Sequence, residues 1–211
     1  MQATIQAEDI LQVMKDRKSV RKYKQNVKIP DEELTEILEA TVEAPSSWNL
    51  QHWRFLIVQS EEQKEKLYNI AYHQQQVMDS SVTIAVLGDL EADKSADEVY
   101  GEAVRFGYMD EKVKETLVGN IEGAYKNIEG FARDEAILNS SLAAMQLMLA
   151  AKAKGYDSVP MGGFNREAFK SEFNVPERFT PVMLISIGEA AVEAHSTGRF
   201  PLEKVVINES F

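Results

Sequence analysis

Cysteine is absent from this chain of 211 residues, which excludes disulfides, thiolate nucleophiles and cysteine-ligated metals. Histidine is scarce. His52, His73 and His195 lie far apart without metal-ligand spacing, so no metal site is expected. Positive charge is in deficit: 23 Lys and Arg face 34 Asp and Glu, for a formal net charge of −11. Such a surface repels phosphate backbones and anionic lipid, which argues against nucleic acid and membrane partners. Long hydrophobic runs are missing too. The longest, Leu142 to Ala151, is interrupted by Gln146 and is shorter than the ~20 residues that cross a bilayer. No basic stretch followed by an apolar one opens the chain, so no signal peptide is expected, and the expected location is cytoplasmic. There is no GxSxG elbow, Walker A loop or GxGxxG, and with them go three common routes to hydrolysis and nucleotide binding. Without repeats or a low-complexity linker, the length fits one domain over residues 1–211.

What is present is periodic. A helix is expected from about Ala7 to Asp16, with Ile10, Val13 and Met14 on one face. A second starts near Pro30-Asp31, buries Leu34, Ile37, Leu38 and Thr41, and ends at Pro45. Phe55 to Val58 reads as a central strand buried on both faces. Glu61 to Tyr72 is helical, and Val82 to Leu87 is a second buried strand. From about residue 92 to 130 the chain is acidic, aromatic and partly helical, a covering segment rather than a core. Arg133 to Lys154 is the strongest helix. Its apolar residues surround most of the circumference, as a subunit interface would require; Met145 and Met148 are read as core. A short helix follows Asn165, a plausible N-cap, and Val182 to Ile187 is a third strand. Val205-Val206-Ile207 is a small strand with no local partner. A layered sheet with helices on both faces accommodates these elements, and a strand from a partner's tail would widen it.

Against the acidic background, Arg17-Lys18-Ser19-Val20-Arg21-Lys22 places four cations and a hydroxyl in six residues. In an extended segment, Arg17, Ser19 and Arg21 point to one side and Lys18 and Lys22 to the other. Either this is an anion site, suited to bidentate phosphate recognition by arginine, or it is a solvated charge run at a helix end. Pro45-Ser46-Ser47-Trp48-Asn49-Leu50-Gln51 offers hydroxyls and amides to the edge of a polar ring, or satisfies its own turn. Val159-Pro160-Met161-Gly162-Gly163-Phe164-Asn165 lets a backbone N–H approach a planar group closely, or is a simple glycine turn. Arg199, in Thr197-Gly198-Arg199-Phe200-Pro201, is a second phosphate anchor or merely exposed. Phe106 and Tyr108 fit core packing better than stacking on a substrate.

Together and in this order, the R-x-S-x-R block, the P-S-S-x-N-x-Q-x-W-R-F turn and strand, the buried helix, the P-M-G-G-F loop and the R-F-P-L-E tail resemble the FMN-dependent nitroreductase family. The resemblance covers most of the chain. It implies an α+β, three-layer α/β/α fold, with a central mixed sheet flanked by helices and completed by the partner's C-terminal strand. It implies an intertwined homodimer with FMN at the interface, the 92–130 segment covering the site. Carried over, Arg17 and Ser19 hold the phosphate and ribityl chain, with Lys18 counted among the cofactor-binding residues, Arg199 closes the phosphate site, and Arg21 lies near the pyrimidine end. Pro45, Ser46, Ser47 and Asn49 come from the other subunit. His73 and Gln76 border the flavin, Gln76 where some members have lysine. Pro160, Met161 and Gly162 line the loop whose Gly163 N–H faces flavin N5. The implied activity is hydride transfer from NADH or NADPH through flavin N5 to nitroaromatics, quinones or similar acceptors, in a ping-pong sequence with no catalytic side chain. Alternatives are a specialised reductase of enones or halogenated phenols, and a flavin-binding protein without turnover.

Overall fold

Alternation along one fully buried strand sets the layers. In this computed structural model, which describes residues 7–211, strand β2 (Val82–Asp89) lies inside a four-stranded sheet. Val82, Ile84 and Val86 join one core, while Ala85 and Leu87 join another on the opposite face. The sheet order is β1-β2-β4-β3, with β1 Trp53–Val58, β3 Asp157–Met161 and β4 Phe179–Gly188. All three pairings are antiparallel. The one parallel pairing among the described residues is an isolated bridge, Ser19 to Ser158.

Helices cover both faces. On one side lie α2 (Asp31–Val42) and α7 (Phe131–Ala153), which bury Ile37, Leu147 and Ala151 against β2 and β4. On the other lie α3 (Glu61–Ile70), the short α4 (Gln76–Asp79) and α8 (Arg166–Glu172), supplying Leu67, Val77 and Phe169. α1 (Ala7–Asp16) packs on α7, and α5 (Ala96–Arg105) with α6 (Glu111–Asn127) forms the segment between β2 and α7. The fold is therefore α+β in three layers. α7 is long and apolar enough to cross a membrane by length and composition, but it is the central core helix. β2 and α7 approach so closely that a Cβ at Gly88 would lie 2.7 Å from the Ala136 carbonyl oxygen.

Four expectations need correcting. Phe55–Val58 belongs to an edge strand, not a central one: β1 pairs only with β2, and Ile57 is exposed. Val159-Pro160-Met161 is strand rather than glycine turn, because an edge strand tolerates a proline that has no N–H to donate. Val205–Ile207 forms no strand within the chain; the tail makes one 3-10 turn, Leu202–Lys204, and its apolar residues are exposed. Met145 is not core, since it lies with Leu138 and Leu142 on an open stripe of α7.

Candidate functional site

Arg17 closes α1 by donating its N–H to the Val13 carbonyl at 2.9 Å. The chain then runs extended along the edge of β3: the Val20 N–H donates to the Ser158 carbonyl at 3.1 Å, beside the Ser19–Ser158 bridge. Tyr23 anchors the far end. Its hydroxyl donates to the Ser186 carbonyl at 3.0 Å, and burial pushes the phenol's pKa well above its usual value. Arg17, Lys18, Arg21 and Lys22 make no ion pair among the described residues, although acids outnumber bases in this chain. Arg21 Nη1 donates only weakly, to the Ser19 carbonyl at 3.4 Å. Lys18, unlike Arg17 and Arg21, faces a cavity. With Val20 it lines this space of about 570 Å³, walled by Asp16, Lys152 and Asp157.

β3 delivers the second piece. Met161 is buried and Phe164 is buried, while Gly162 and Gly163 between them are exposed. Neither glycine has a positive φ, and a Cβ on either would meet nothing within 4 Å. The fold of this chain therefore does not itself require glycine at these positions. The Gly163 N–H donates to no group among the described residues. Asn165 caps α8 as expected, its Oδ1 accepting from the Ala168 N–H at 3.0 Å.

The third piece is the turn from Ala71 to Gln76. Tyr72 and His73 both have left-handed backbones, with φ of 54° and 58°, a conformation that costs non-glycine residues ~1–2 kcal/mol each. His73 is exposed with its ring edge-on to Tyr68, 5.0 Å between centroids. Gln76 is buried, and its Nε2 donates to Gln74 Oε1 at 3.0 Å and to Met161 Sδ at 3.3 Å. Gln74 Nε2 in turn donates to the Gly163 carbonyl at 2.8 Å. Arg17-Ser19-Arg21, His73–Gln76 and Pro160–Gly163 are thus three distant stretches gathered at one sheet edge.

Pro45–Gln51 lies elsewhere, on α7 and the covering segment. The Ser46 hydroxyl accepts the Gln51 N–H at 3.0 Å, so Ser46 serves its own turn. Trp48, Asn49 and Gln51 are left-handed as well. Of the eight non-glycine residues with positive φ among the described residues, five fall in this turn and the Tyr72-His73 turn; strain is concentrated in two of the predicted site segments. Asn139 of α7, buried, holds the turn in place: its Oδ1 accepts the Ser47 N–H at 2.8 Å and its Nδ2 donates to Glu135. Nothing in the sequence marked Asn139 except its polarity inside an apolar helix. Trp48 joins Tyr100, Val118 and Tyr125 of the covering segment around a small core of Leu50, Ala92, Ala96 and Ile121, and the Tyr125 hydroxyl pairs with His52 Nε2 at 2.9 Å. Behind the turn, buried Asp89 accepts two hydrogen bonds from Arg178, at 2.7 and 2.6 Å. Phe106 and Tyr108 are 60% and 82% exposed and stack on each other; they pack no core, because they sit in the loop between α5 and α6. Arg199 is exposed and, among the described residues, bonds only to Thr197 and Gly198. Lys18, Val20 and Gln75 line cavities, but Arg17, Ser19, Arg21, His73, Gln76, Gly162 and Gly163 line none of those found among the described residues, so in one chain the gathered edge is an open surface. No group of acids and histidines that could hold a metal occurs among the described residues.

Comparison with known proteins gives consistent matches. A family model described as "Nitroreductase family" matches residues 14–189. YodC of Bacillus subtilis, named as a candidate NAD(P)H nitroreductase, is 53% identical over 195 residues, 92% of this chain and 96% of its own. The CLA biosynthesis enone reductase of Lactiplantibacillus plantarum is 32% identical over 196 residues, 91% of this chain and 90% of its own. The crystal structure of a candidate nitroreductase from Exiguobacterium sibiricum in complex with FMN superposes with a TM-score of 0.88 at 40% identity, covering 97% of this chain and 99% of that one.

Proposed function

Because this chain belongs to the nitroreductase family, we propose that it is an NAD(P)H-dependent FMN oxidoreductase. It takes hydride from NADH or NADPH and passes it to nitroaromatics, quinones or similar small acceptors, the two partners using one face in turn. One observation carries the reading. A rim of cations without ion pairs among the described residues, Arg17 and Arg21 with Ser19 between them, lies along the same sheet edge as two glycines that their own fold does not require. A phosphate dianion suits the first feature, and a planar ring against an open N–H suits the second. The residues present therefore fit FMN.

When bound, the flavin supplies a ring nitrogen that both accepts and donates hydride. The chain's own residues do the rest. Arg17 and Ser19 hold the phosphate and ribityl chain, Arg21 offsets negative charge at the pyrimidine end, and the Gly163 N–H meets N5. His73 and Gln76 border the ring. No cysteine, metal or triad is needed, since positioning, charge and exclusion of water suffice. The open edge needs another wall, and we assign it to a second copy. Pro45, Ser46, Ser47 and Asn49 of the partner face the flavin, and Arg199 closes the phosphate site. The tail supplies a strand to the free edge of the partner's β1, which would make the sheet mixed. Exposed Ile10, Leu11 and Met14 of α1, and Leu138, Leu142 and Met145 of α7, support such a dimer, because contiguous apolar surface marks an interface.

The enone reductase relative, matched over most of both chains, favours a second reading in which the acceptor is an activated carbon–carbon double bond. An anaerobic absorbance spectrum decides first. The purified protein should be yellow and bleach on adding NADH or NADPH; bound FMN that neither nicotinamide reduces would mean a flavin-binding protein without turnover. Oxidation of the bleached protein by a quinone, a nitroaromatic or an enone then separates the acceptors.

A further inference from the structure

We propose that Gln74 is a positioning residue that fixes the orientation of the Gly162-Gly163 loop, and through it the poise of the bound flavin. The inference rests on the FMN reading above and adds to it a residue that touches no substrate or reacting atom.

The loop has little else to hold it. Met161 ends β3 and Phe164 is buried, but the two glycines between them are exposed and contact nothing through the position of a Cβ. Glycine has more backbone freedom than any other residue, so the direction of the Gly163 peptide must be selected from outside. Two hydrogen bonds do this, both from the Ala71–Gln76 side of the molecule. The Asn165 N–H donates to the Ile70 carbonyl at 3.1 Å. Gln74 Nε2 donates to the Gly163 carbonyl itself at 2.8 Å.

Gln74 is held in turn. Its Oε1 accepts from buried Gln76, whose same amide nitrogen also reaches Met161 Sδ, the residue just before the glycines. With Oε1 occupied by a donor, Nε2 is the end that faces Gly163. The relay thus closes a ring from Met161 through Gln76 and Gln74 back to Gly163. The turn that aims Gln74 is the strained one. Left-handed Tyr72 and His73 are secured by the His73 N–H to Tyr68 carbonyl bond at 3.0 Å and the Gln74 N–H to Ala71 carbonyl bond at 3.2 Å. Strain of this kind persists where the surrounding structure determines it and serves a site. Gln75 is not part of the relay; its Nε2 bonds Asp79 at 2.9 Å.

A fixed N–H aimed at N5 favours oxidised flavin, whose N5 accepts, over reduced flavin, whose N5 carries hydrogen. Releasing the loop should therefore weaken the oxidised state selectively. The test uses the FMN-loaded protein, with the dissociation constants of oxidised and reduced FMN and the midpoint potential measured for the wild type, Q74A and Q74E. For Q74A we expect oxidised FMN to bind about fivefold more weakly, the size of one neutral hydrogen bond, with the reduced form within about twofold. A fivefold selective loss raises the potential by about 20 mV, at ~30 mV per decade for a two-electron couple. In Q74E the side chain keeps its length but loses its donor while ionised, so its offset from the wild-type potential should shrink as acid restores an O–H. Equal weakening of both redox forms would reduce Gln74 to a structural support. An unmoved potential in both variants, or a Q74E offset independent of pH, would overturn the proposal while leaving the FMN reading intact. A wild type that neither retains nor rebinds FMN would end both.

Discussion

Arg17 and Arg21 are the residues whose surroundings say most, because so acidic a protein leaves them without counter-charges among the described residues. On the FMN reading each contributes a charge-assisted hydrogen bond, worth about 1.5–3 kcal/mol. Arg17→Ala should therefore weaken FMN binding roughly 10- to 100-fold, and added salt should narrow the gap from wild type; fluorescence titration at two ionic strengths measures this. His52 poses a different question. It is fully buried, its Nδ1 has no partner among the described residues, and its Nε2 is engaged by Tyr125. Burial holds its pKa below the ordinary 6.5, with Arg54 adding to the effect and Glu135 and Asp89 opposing it. Between the folded pKa and 6.5 the unfolded chain binds more protons than the folded one, so stability from neutral His52 is full above that window and is lost as pH falls through it. Melting temperature should drop as pH falls below about 6.5, and His52→Gln should flatten that slope. Parallel slopes in the two proteins would show that His52 does not titrate there.

At the level of elements, the turn from Pro45 to Gln51 depends on one helix residue far away in sequence. Asn139 accepts the Ser47 N–H and ties itself to Glu135. Asn139→Ala would leave that N–H unsatisfied, at about 1–2 kcal/mol, and loosen the turn under Trp48 and the covering segment. Urea unfolding should show the loss, and proteolysis should cut the 45–51 turn faster; equal rates would mean that Trp48 packing alone holds it. The same elements show what sequence reading reaches. Helices α1, α2 and α7 were legible from apolar spacing, and α8 from its Asn165 cap, because these signals are local. β2 was legible as an unbroken apolar run. β3 was not: Pro160 and the following glycines read as a turn, and only the pairing with β4 makes Asp157–Met161 a strand. β1 looked central because its composition is apolar, yet which strand lies at an edge is decided by topology. Of the site, the R-x-S-x-R and G-G pieces were visible as motifs. Asn139 and Gln74 were not, since each acts through a contact made across the fold.

For the whole molecule, the imbalance is between what the chain buries and what it leaves bare. Phe200, Leu202, Val205, Val206 and Ile207 are all at least 48% exposed in a tail with one short turn, while β1 presents an unpaired edge. An apolar tail and an open sheet edge are a liability in a monomer, and each satisfies the other if two copies exchange tails. Such a dimer would also bring Arg199 towards a partner's phosphate site and the Pro45–Gln51 turn over a partner's ring. Ending the chain before Pro201 should then have three linked effects. Sedimentation should shift from dimer towards monomer, the melting temperature should become lower and more dependent on protein concentration, and FMN should dissociate on dilution. The linkage is the discriminating part. A truncated protein that sediments as a normal dimer and keeps its flavin would show that α1 and α7 alone make the interface and that the tail belongs to neither site nor sheet. A truncated dimer that loses flavin would instead confine the role of residues 201–211 to holding the neighbouring Arg199 at the phosphate site.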